Sequence, residues 1–171
     1  MSRHVIQKGK FLNFVQDGNW EFVERTNDTK AVCGIVWLDG KLVVVEQERI
    51  PTGGKVLELP AGLIDAGETG QNAIIREIRE ETGIVIKPLF HANQSNISTF
   101  SSPGLTSESV QILEFNTGDV IGLGKQNLDE TEDIKVHLMS IDEIYESDQP
   151  IGARLAAFVM GYRSHKLAGL S

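Results

Sequence analysis

The stretch GLIDAGETGQNAIIREIREETGI, residues 62 to 84, predicts a glycine-bearing loop that leads into an acidic helix. Thr69 can cap the start of this helix, because its side-chain oxygen can accept a hydrogen bond from a free backbone N–H of the first turn. Gly83 can end the helix in the left-handed conformation. Ile74 and Ile78 lie on the same face, so they form an apolar stripe that would hold the helix against a core.

The same helix carries three carboxylates, Glu77, Glu80 and Glu81, which its periodicity places toward one side. Like charges this close repel each other unless something compensates them. One interpretation is an ordinary solvated helix face, on which Arg76 pairs with Glu80 one turn later. The other is a divalent cation, because Mg²⁺ is held in proteins by a few carboxylate oxygens together with substrate phosphates.

The full spacing of the stretch resembles the Nudix box, GX5EX7REUXEEXGU, at every defined position. A chance match anywhere in a chain of this length has a probability of roughly less than one in a million. The resemblance implies an α/β protein with the Nudix fold, an α/β/α sandwich on a mixed β-sheet. It also implies an enzyme that hydrolyses nucleoside diphosphates linked to another moiety. The matching residues are Gly62, Glu68, Arg76, Glu77, Ile78, Glu80, Glu81, Gly83 and Ile84.

In that family the box binds Mg²⁺ or Mn²⁺ against a diphosphate, so the resemblance assigns this cofactor to the carboxylates of the helix. Glu80 and Glu81 are expected to act in catalysis as well as in metal binding. Glu68 and Arg76 are expected to brace the loop against the helix. The residues implied to hold the metal are Ala61 (through its carbonyl), Glu58, Glu77, Glu80, Glu81 and Glu132.

Two segments beside the box narrow the resemblance. QERIP, residues 47 to 51, and ELPAG, residues 58 to 62, resemble the QYRxP and ELPAG segments of ADP-ribose and nucleotide-sugar pyrophosphatases, with Glu48 in place of the usual aromatic residue. The resemblance implies that Arg49 faces the diphosphate, a role that suits the hydrogen-bonding fork of a guanidinium group. The alternative for Arg49 is a surface salt bridge.

Downstream of the box, SPGLTSE, residues 102 to 108, resembles the SPGxTxE segment of ADP-ribose pyrophosphatases. Pro103 and Glu108 are therefore expected to bind substrate. Pro103 stands a few residues further from the box than the family pattern expects, which leaves nucleotide sugars other than ADP-ribose open. The alternative for Pro103 and Gly104 is a plain turn.

LDETEDIKVHLMS, residues 128 to 140, resembles the acidic stretch that supplies a general base in the same enzymes. By position Glu130 is the candidate base and Glu132 the candidate metal ligand. A mobile loop could bring either onto bound substrate. The alternative is a solvated acidic turn.

The first thirty residues predict two or three short strands, which form a small β appendage to a Nudix domain over residues 31 to 171. These strands could simply cover the main domain. They could also pair with a second copy of the chain, because exposed strand edges favour association. The layout resembles dimeric ADP-ribose pyrophosphatases, which implies a homodimer and places Trp20 and Arg25 near the substrate.

Composition excludes several classes of function. The net charge of −8 and a sequence pI near 5.0 argue against broad binding of nucleic acid. Cys33 is the only cysteine, so an intramolecular disulfide or a cysteine-based zinc site is excluded. No apolar run is long enough to span a bilayer, and the N-terminus does not look like a signal peptide. We therefore expect a cytoplasmic protein without membrane partners.

Several further elements follow from local signals. Asp39 and Gly40 predict a tight hairpin that needs positive φ. We expect a strand over 84 to 91, polar loops over 93 to 102 and 116 to 131, and an amphipathic terminal helix over 151 to 167. The loop at residues 122 to 125 lacks the spacing of a P-loop.

These observations favour metal-dependent hydrolysis of nucleoside diphosphate sugars, such as ADP-ribose or GDP-mannose, to a nucleoside monophosphate and a sugar phosphate. Two alternatives remain. One is a hydrolase of nucleoside triphosphates or dinucleoside polyphosphates, against which the ELPAG and SPGLTSE segments argue. The other is a Nudix domain without activity that senses nucleotides.

Overall fold

A computed structural model describes residues 2–88, 98–130 and 132–169 of the chain. Twelve strands and three α-helices are seen in these residues, with short 3-10 turns at Ile50–Thr52 and Thr117–Asp119. The strands are β1 (His4–Lys8), β2 (Leu12–Asp17), β3 (Trp20–Arg25), β4 (Ala31–Leu38), β5 (Lys41–Arg49), β6 (Gly54–Glu58), β7 (Ala61–Leu63), β8 (Ile84–Ile86), β9 (Ser98–Phe100), β10 (Ser109–Phe115), β11 (Val120–Leu123) and β12 (Ile134–Met139). The helices are α1 (Gly70–Thr82), α2 (Ile141–Tyr145) and α3 (Ala153–Leu167).

The main sheet is mixed, with the order β12-β5-β4-β10-β9. Strands β4 and β10 are parallel, whereas the other neighbours are antiparallel. The β4–β5 hairpin turns at Asp39 and Gly40, whose φ angles of 50° and 78° confirm the predicted positive values. The two strands pair only beside this turn; further along, β5 pairs with β6 and β4 pairs with β7. The chain therefore enters the box loop where β4 and β5 have separated.

Each face of the sheet carries its own apolar core, as the alternation of side chains in β4 and β5 requires. On one face, Val32, Val36 and Val43 pack with Ile74 and Ile78 of α1. The opposite face packs against α2 and α3, through a cluster that includes Cys33, Ile35, Leu42, Val44, Ile144, Leu155 and Val159. This arrangement confirms the predicted α/β/α sandwich, and it leaves Cys33 fully buried.

Helix α1 has the predicted ends. The Thr69 side chain accepts a hydrogen bond from the backbone N–H of Asn72 at 3.2 Å, and Gly83 follows the last turn with φ of 75°. The helix lies close to β4 because Gly34 has no side chain. A Cβ atom at Gly34 would lie 3.0 Å from Cδ1 of Ile78 and 3.2 Å from Cδ1 of Ile74. The backbone of β4 thus sets how closely the carboxylates of α1 approach the sheet.

The three N-terminal strands form an antiparallel sheet of their own, β1-β2-β3. It is joined to the segment before β10 by two backbone hydrogen bonds. The N–H of Val23 donates to the carbonyl of Leu105 at 2.9 Å, and the N–H of Ser107 donates to the carbonyl of Val23 at 3.2 Å. The SPGLTSE segment therefore lies directly beside β3.

The structure corrects the predicted elements around the connecting loops. The strand expected over 84 to 91 ends at Ile86, and residues 89 to 97 lie outside the described residues. Within the two predicted loops, β9 pairs with β10, and β11 pairs with β8. These strands of three or four residues depend on pairing with distant partners, which local sequence does not reveal.

The terminal helix begins at Ala153 rather than Ile151, because Gly152 has an extended backbone and occupies the N-cap position. Among the described residues, no helix has the length and apolar character needed to cross a membrane.

Candidate active site

Glu81 is the most deeply buried carboxylate of the box, with 4% of its surface exposed. Its Oε2 accepts a hydrogen bond from the backbone N–H of Ala61 at 3.1 Å, which ties the end of α1 to the start of β7. Burial raises the pKa of Glu81 to about 8, and the negative charge of Glu77 adds to the increase. An ionised Glu81 is therefore unfavourable unless a positive charge accompanies it.

Glu77 lies against the first glycine of the box. A Cβ atom on Gly62 would overlap the carboxyl group of Glu77, so a larger residue at this position would displace that side chain. Burial raises the pKa of Glu77 above its usual range, although Arg76 acts in the opposite direction. Two neighbouring carboxylates thus share an environment that disfavours negative charge.

Arg76 holds the loop and the helix of the box together. It donates to both oxygens of Glu68, from Nε at 3.2 Å and from Nη2 at 2.9 Å. Its Nη1 donates to Oε1 of Glu77 at 2.8 Å and to Oε2 of Glu80 at 3.1 Å. Its Nη2 also donates to the carbonyl of Leu63 at 3.0 Å. The expected pair between Arg76 and Glu80 is present, together with the contacts that a brace between loop and helix requires.

Arg49 and Glu58 stand at the ends of the paired strands β5 and β6. Nε of Arg49 donates to Oε2 of Glu58 at 2.6 Å, and the guanidinium group is partly exposed. The positive charge of Arg49 also acts on Glu81, which places Arg49 beside the carboxylate cluster. The ion pair expected in the surface interpretation is therefore formed, but it lies at the edge of the candidate site.

The segment before β12 lies along the end of α1. Nε2 of Gln126 donates to the carbonyl of Glu81 at 2.6 Å, and the N–H of Asn127 donates to the carbonyl of Glu80 at 2.8 Å. The negative charge of Glu132 is close enough to raise the pKa of both Glu77 and Glu81. Glu130 is exposed on the preceding turn.

A second group of predicted residues lies between β3 and the SPGLTSE segment. Nε of Arg25 donates to Oε1 of Glu108 at 3.0 Å, and Nη2 contacts the same oxygen. Burial works against ionisation of Glu108, but hydrogen bonds from Ser101 and Arg25 outweigh it and lower its pKa. Trp20 and Pro103 line a neighbouring cavity of about 680 Å³.

The structure adds a residue that the sequence did not single out as functional. Arg154, in the first turn of α3, donates from Nη1 to Oγ of Ser101 at 3.1 Å and also contacts the Cys33 thiol. The sequence predicted only the terminal helix that contains Arg154, because the partners of this residue are distant in the chain. Its position shortly after Pro150 and Gly152, at a helix start, was the available signal.

The oxygen ligands of the box suit Mg²⁺ or Mn²⁺. Within residues 2–88, 98–130 and 132–169, no three carboxylate, imidazole or thiol groups already converge on one metal position. The reason is visible for Glu77 and Glu80, whose oxygens are held by Arg76. A cation would relieve the unfavourable charge of Glu77 and Glu81, so this set of residues fits a divalent metal in composition and electrostatics.

A second cavity, of about 920 Å³, lies on another face of α1. It is lined by Ile75, Arg79, Pro88 and Lys125, among others, and it shares only Arg76 and Glu80 with the carboxylate cluster. Glu77 and Glu81 point away from it, because their helical positions differ from that of Arg79 by more than a quarter turn. The two buried carboxylates, Glu77 and Glu81, therefore lie on a different side of the helix from this cavity.

Comparisons with known proteins agree with this site. The family model of the NUDIX domain matches residues 28–159. A nudix hydrolase of Caenorhabditis elegans is 38% identical over 158 residues, which cover 84% of this chain and 68% of that protein. The ADP-ribose pyrophosphatase of Bacillus subtilis is 31% identical over 122 residues, which cover 69% of this chain and 63% of that enzyme. The match thus spans less than two thirds of the length of that pyrophosphatase.

Among solved structures, one described as an ADP compounds hydrolase superposes with a TM-score of 0.74. At 18% identity it covers 100% of this chain and 95% of its own, so it supports the fold alone. Together these matches confirm the resemblance that the box and its flanking segments predicted.

Proposed function

This chain belongs to the Nudix hydrolase family, and from that membership we propose that it hydrolyses the diphosphate bond of ADP-ribose and related nucleoside diphosphate sugars. The observation that carries the proposal is the packing of Glu77 and Glu81, two carboxylates disfavoured by burial, beside the Arg49–Glu58 pair. Relatives named ADP-ribose pyrophosphatase support the choice of substrate. The proposed products are a nucleoside monophosphate and a sugar phosphate.

Residues of this chain are proposed to bind the metal and the diphosphate, to accept a proton and to position the ligands. A bound Mg²⁺, or Mn²⁺, would neutralise charge on the phosphate oxygens and make the attacking water more acidic. Arg49 would donate hydrogen bonds to the diphosphate, and Glu130 would accept the proton of the water. Arg76 and Glu68 would hold the ligands in place. The residues proposed to hold the metal are Glu58, Glu77, Glu80, Glu81, Glu132 and the carbonyl of Ala61.

Substrate selection is proposed for the cavity between β3 and the SPGLTSE segment. Trp20 offers an aromatic surface on which a nucleobase can stack, and Pro103 also lines the cavity. Arg25, in the same strand as Trp20, and Glu108, next to Ser107 of the cavity lining, form a hydrogen-bonded pair that can position a ribose or phosphate group. GDP-mannose is included as a proposed substrate because the same contacts do not depend on one sugar.

A homodimer is the proposed assembly. The N-terminal sheet exposes large apolar side chains, including Phe11 at 67% and Trp20 at 66% of their surface, together with Ile6 and Leu12. Such a patch favours association with a second surface, and a second copy of the chain is the occupant proposed here. Light scattering on the purified chain tests this assembly. A cytoplasmic location remains a prediction.

The decisive experiment is a substrate panel with purified protein and Mg²⁺. The panel contains ADP-ribose, GDP-mannose and other nucleotide sugars, nucleoside triphosphates and dinucleoside polyphosphates. We expect release of nucleoside monophosphate from the nucleotide sugars, and loss of turnover when EDTA removes the metal. Turnover of triphosphates alone would overturn the proposal, and complete absence of turnover would favour the nucleotide-sensor alternative.

A further inference from the structure

Arg154 joins two parts of the candidate site through a chain of hydrogen bonds. Its Nη1 donates to Oγ of Ser101 at 3.1 Å, and the Ser101 hydroxyl in turn donates to Oε2 of Glu108 at 2.7 Å. The other oxygen of Glu108 accepts from Arg25. The hydroxyl of Ser101 thus donates its one hydrogen bond to Glu108 and accepts a hydrogen bond from Arg154. A hydroxyl group can do both at once.

Arg154 forms no direct ion pair among the described residues, although its charge acts on Glu108 across Ser101 and helps to lower the pKa of that carboxyl. No carboxylate within them lies at ion-pair distance from its guanidinium group, whereas Arg25, Arg49 and Arg76 all have one. Its other contact is the buried thiol of Cys33. A partly buried guanidinium group without a direct ion pair can donate its remaining N–H groups to a bound anion.

The position of Arg154 indicates which anion that is. The Cys33 thiol, which Arg154 contacts, is also close enough to Glu81 and Glu58 for their charges to act on it. Gly152, two residues earlier, packs so closely on Glu58 that a Cβ atom there would lie 3.0 Å from Cγ of the glutamate. The start of α3, which carries Arg154, therefore lies against one of the proposed metal ligands.

The hydrogen bonds of Arg154 lead toward the proposed base cavity. Ser101 and Glu108 connect it to Arg25 of β3, and β3 also carries Trp20, which lines that cavity. A nucleoside diphosphate sugar bound across the base cavity and the metal ligands would therefore bring its diphosphate toward this guanidinium group. The part of the substrate nearest to it is the phosphate attached to the nucleoside.

We propose that Arg154 is a substrate-binding residue that donates hydrogen bonds to the phosphoryl group on the nucleoside side of the diphosphate. Ser101 and Glu108 act as positioning residues for it. The proposal rests on the proposed function for its substrate class, but it adds a residue outside the box and its flanking motifs. It also implies that the nucleoside monophosphate product keeps this contact, whereas the sugar phosphate product does not.

The test compares Arg154→Ala and Arg154→Lys with the unmodified protein. With ADP-ribose and Mg²⁺, we expect Arg154→Ala to raise KM and the inhibition constant of AMP by roughly 10- to 100-fold, the loss typical of a charge-assisted hydrogen bond. The inhibition constant of ribose 5-phosphate should not change. Arg154→Lys should recover part of the AMP affinity, because it restores the charge without the fork.

Arg79→Ala is the matched control, since it removes one exposed arginine from the far side of α1. It should leave both inhibition constants unchanged. Ser101→Ala keeps the charge of Arg154 and removes its support, so we expect a smaller rise in the AMP constant, of roughly threefold. If Arg154→Ala weakens the binding of AMP and of ribose 5-phosphate equally, or lowers only kcat and the melting temperature, Arg154 has a structural role and the proposal is wrong.

Direct calorimetry of AMP binding separates this proposal from the proposed function. If the unmodified protein hydrolyses no diphosphate, the proposed function fails, and the AMP affinities of the unmodified protein and Arg154→Ala still decide the role of Arg154. Equal affinities, or no AMP binding to the unmodified protein, would overturn it.

Discussion

The backbone of Gly62 and the carboxyl group of Glu77 occupy adjoining space, with no room for a Cβ atom between them. Glycine at the start of the box therefore leaves room for the Glu77 side chain, and it does not serve a left-handed backbone, because Gly62 does not have positive φ. This contact fixes where one of the proposed metal ligands can lie.

Gly62→Ala should displace Glu77 while leaving the fold intact, since the end of a glutamate side chain can move. We expect a loss of free energy of unfolding of less than about 1 kcal/mol and a drop in turnover on the order of 100-fold, because small misplacements of catalytic groups are costly. Urea unfolding and steady-state kinetics measure the two effects. Gly118→Ala, where a Cβ atom meets nothing within 4 Å, is the control and should leave both unchanged.

Arg76 and Glu68 should be energetically coupled, because their two parallel hydrogen bonds are partly buried. A double-mutant cycle with Arg76→Gln and Glu68→Gln should give a coupling free energy of about 1–2 kcal/mol in urea unfolding. The exposed pair of Lys41 and Glu143, 3.6 Å apart, should give less than about 0.5 kcal/mol. If the two substitutions change the free energy of unfolding additively, Arg76 and Glu68 do not brace the loop against the helix.

The raised pKa of Glu81 predicts that the metal-free protein loses stability as pH rises. The unfolded chain ionises this carboxyl near its ordinary value of 4.5, whereas the folded chain keeps the proton up to about 8. Between these values the free energy of unfolding should fall by at most about 1.4 kcal/mol per pH unit. In Glu81→Gln this contribution should disappear, so the variant should exceed the unmodified protein in melting temperature more at pH 8 than at pH 5. Parallel pH profiles for the two proteins would contradict the assignment.

Glu46 should make the free energy of unfolding depend on pH in the opposite direction from Glu81. Its effect should appear at lower pH, and Glu46 is not one of the residues proposed to act in catalysis. Hydrogen bonds from Lys55 at 3.1 Å and Gln149 at 3.2 Å lower the pKa of Glu46 despite its burial. A lowered native pKa contributes stability that is present above 4.5 and is lost as pH falls through the native value. Glu46→Gln should therefore be less stable than the unmodified protein at pH 6, with a difference that shrinks below pH 4. Chemical denaturation across this range measures it, and turnover at pH 7 should change little.

Local sequence sufficed for the features that depend on neighbours in the chain. Thr69, Gly83 and the spacing of the box glutamates define α1 and its carboxylates, and the pair of Arg76 with Glu80 follows from helical periodicity. The Asp39–Gly40 turn likewise follows from two residues that tolerate positive φ.

Features that depend on distant partners could not be predicted in the same way. Strand β11 exists because it pairs with β8, and Arg154 meets a hydroxyl 53 residues away in the chain. The burial of Glu46 in a valine-rich strand depends on Lys55 and Gln149, which no local pattern links to it. In each case the partner, rather than the residue itself, decides the structure.

Glu130 and Glu132 can be separated by the metal dependence of their variants. The charge of Glu132 raises the pKa of both Glu77 and Glu81, and its Oε2 also accepts a hydrogen bond from the N–H of Asp129 at 3.1 Å. A glutamine at position 132 can still accept that hydrogen bond, so Glu132→Gln preserves the turn and removes only the charge. We expect this variant to need several-fold more Mg²⁺ for half-maximal turnover and to keep most of its kcat at saturating metal.

Glu130→Gln should show the complementary result if Glu130 is the general base. Its Mg²⁺ dependence should match that of the unmodified protein, whereas kcat should fall by about 100-fold or more at every metal concentration. Because Glu130 is exposed, the melting temperature of Glu130→Gln should equal that of the unmodified protein. If Glu132→Gln instead abolishes turnover at saturating Mg²⁺ and Glu130→Gln is fully active, the general base is Glu132. The charge of Glu132 already acts on Glu77 and Glu81 of α1.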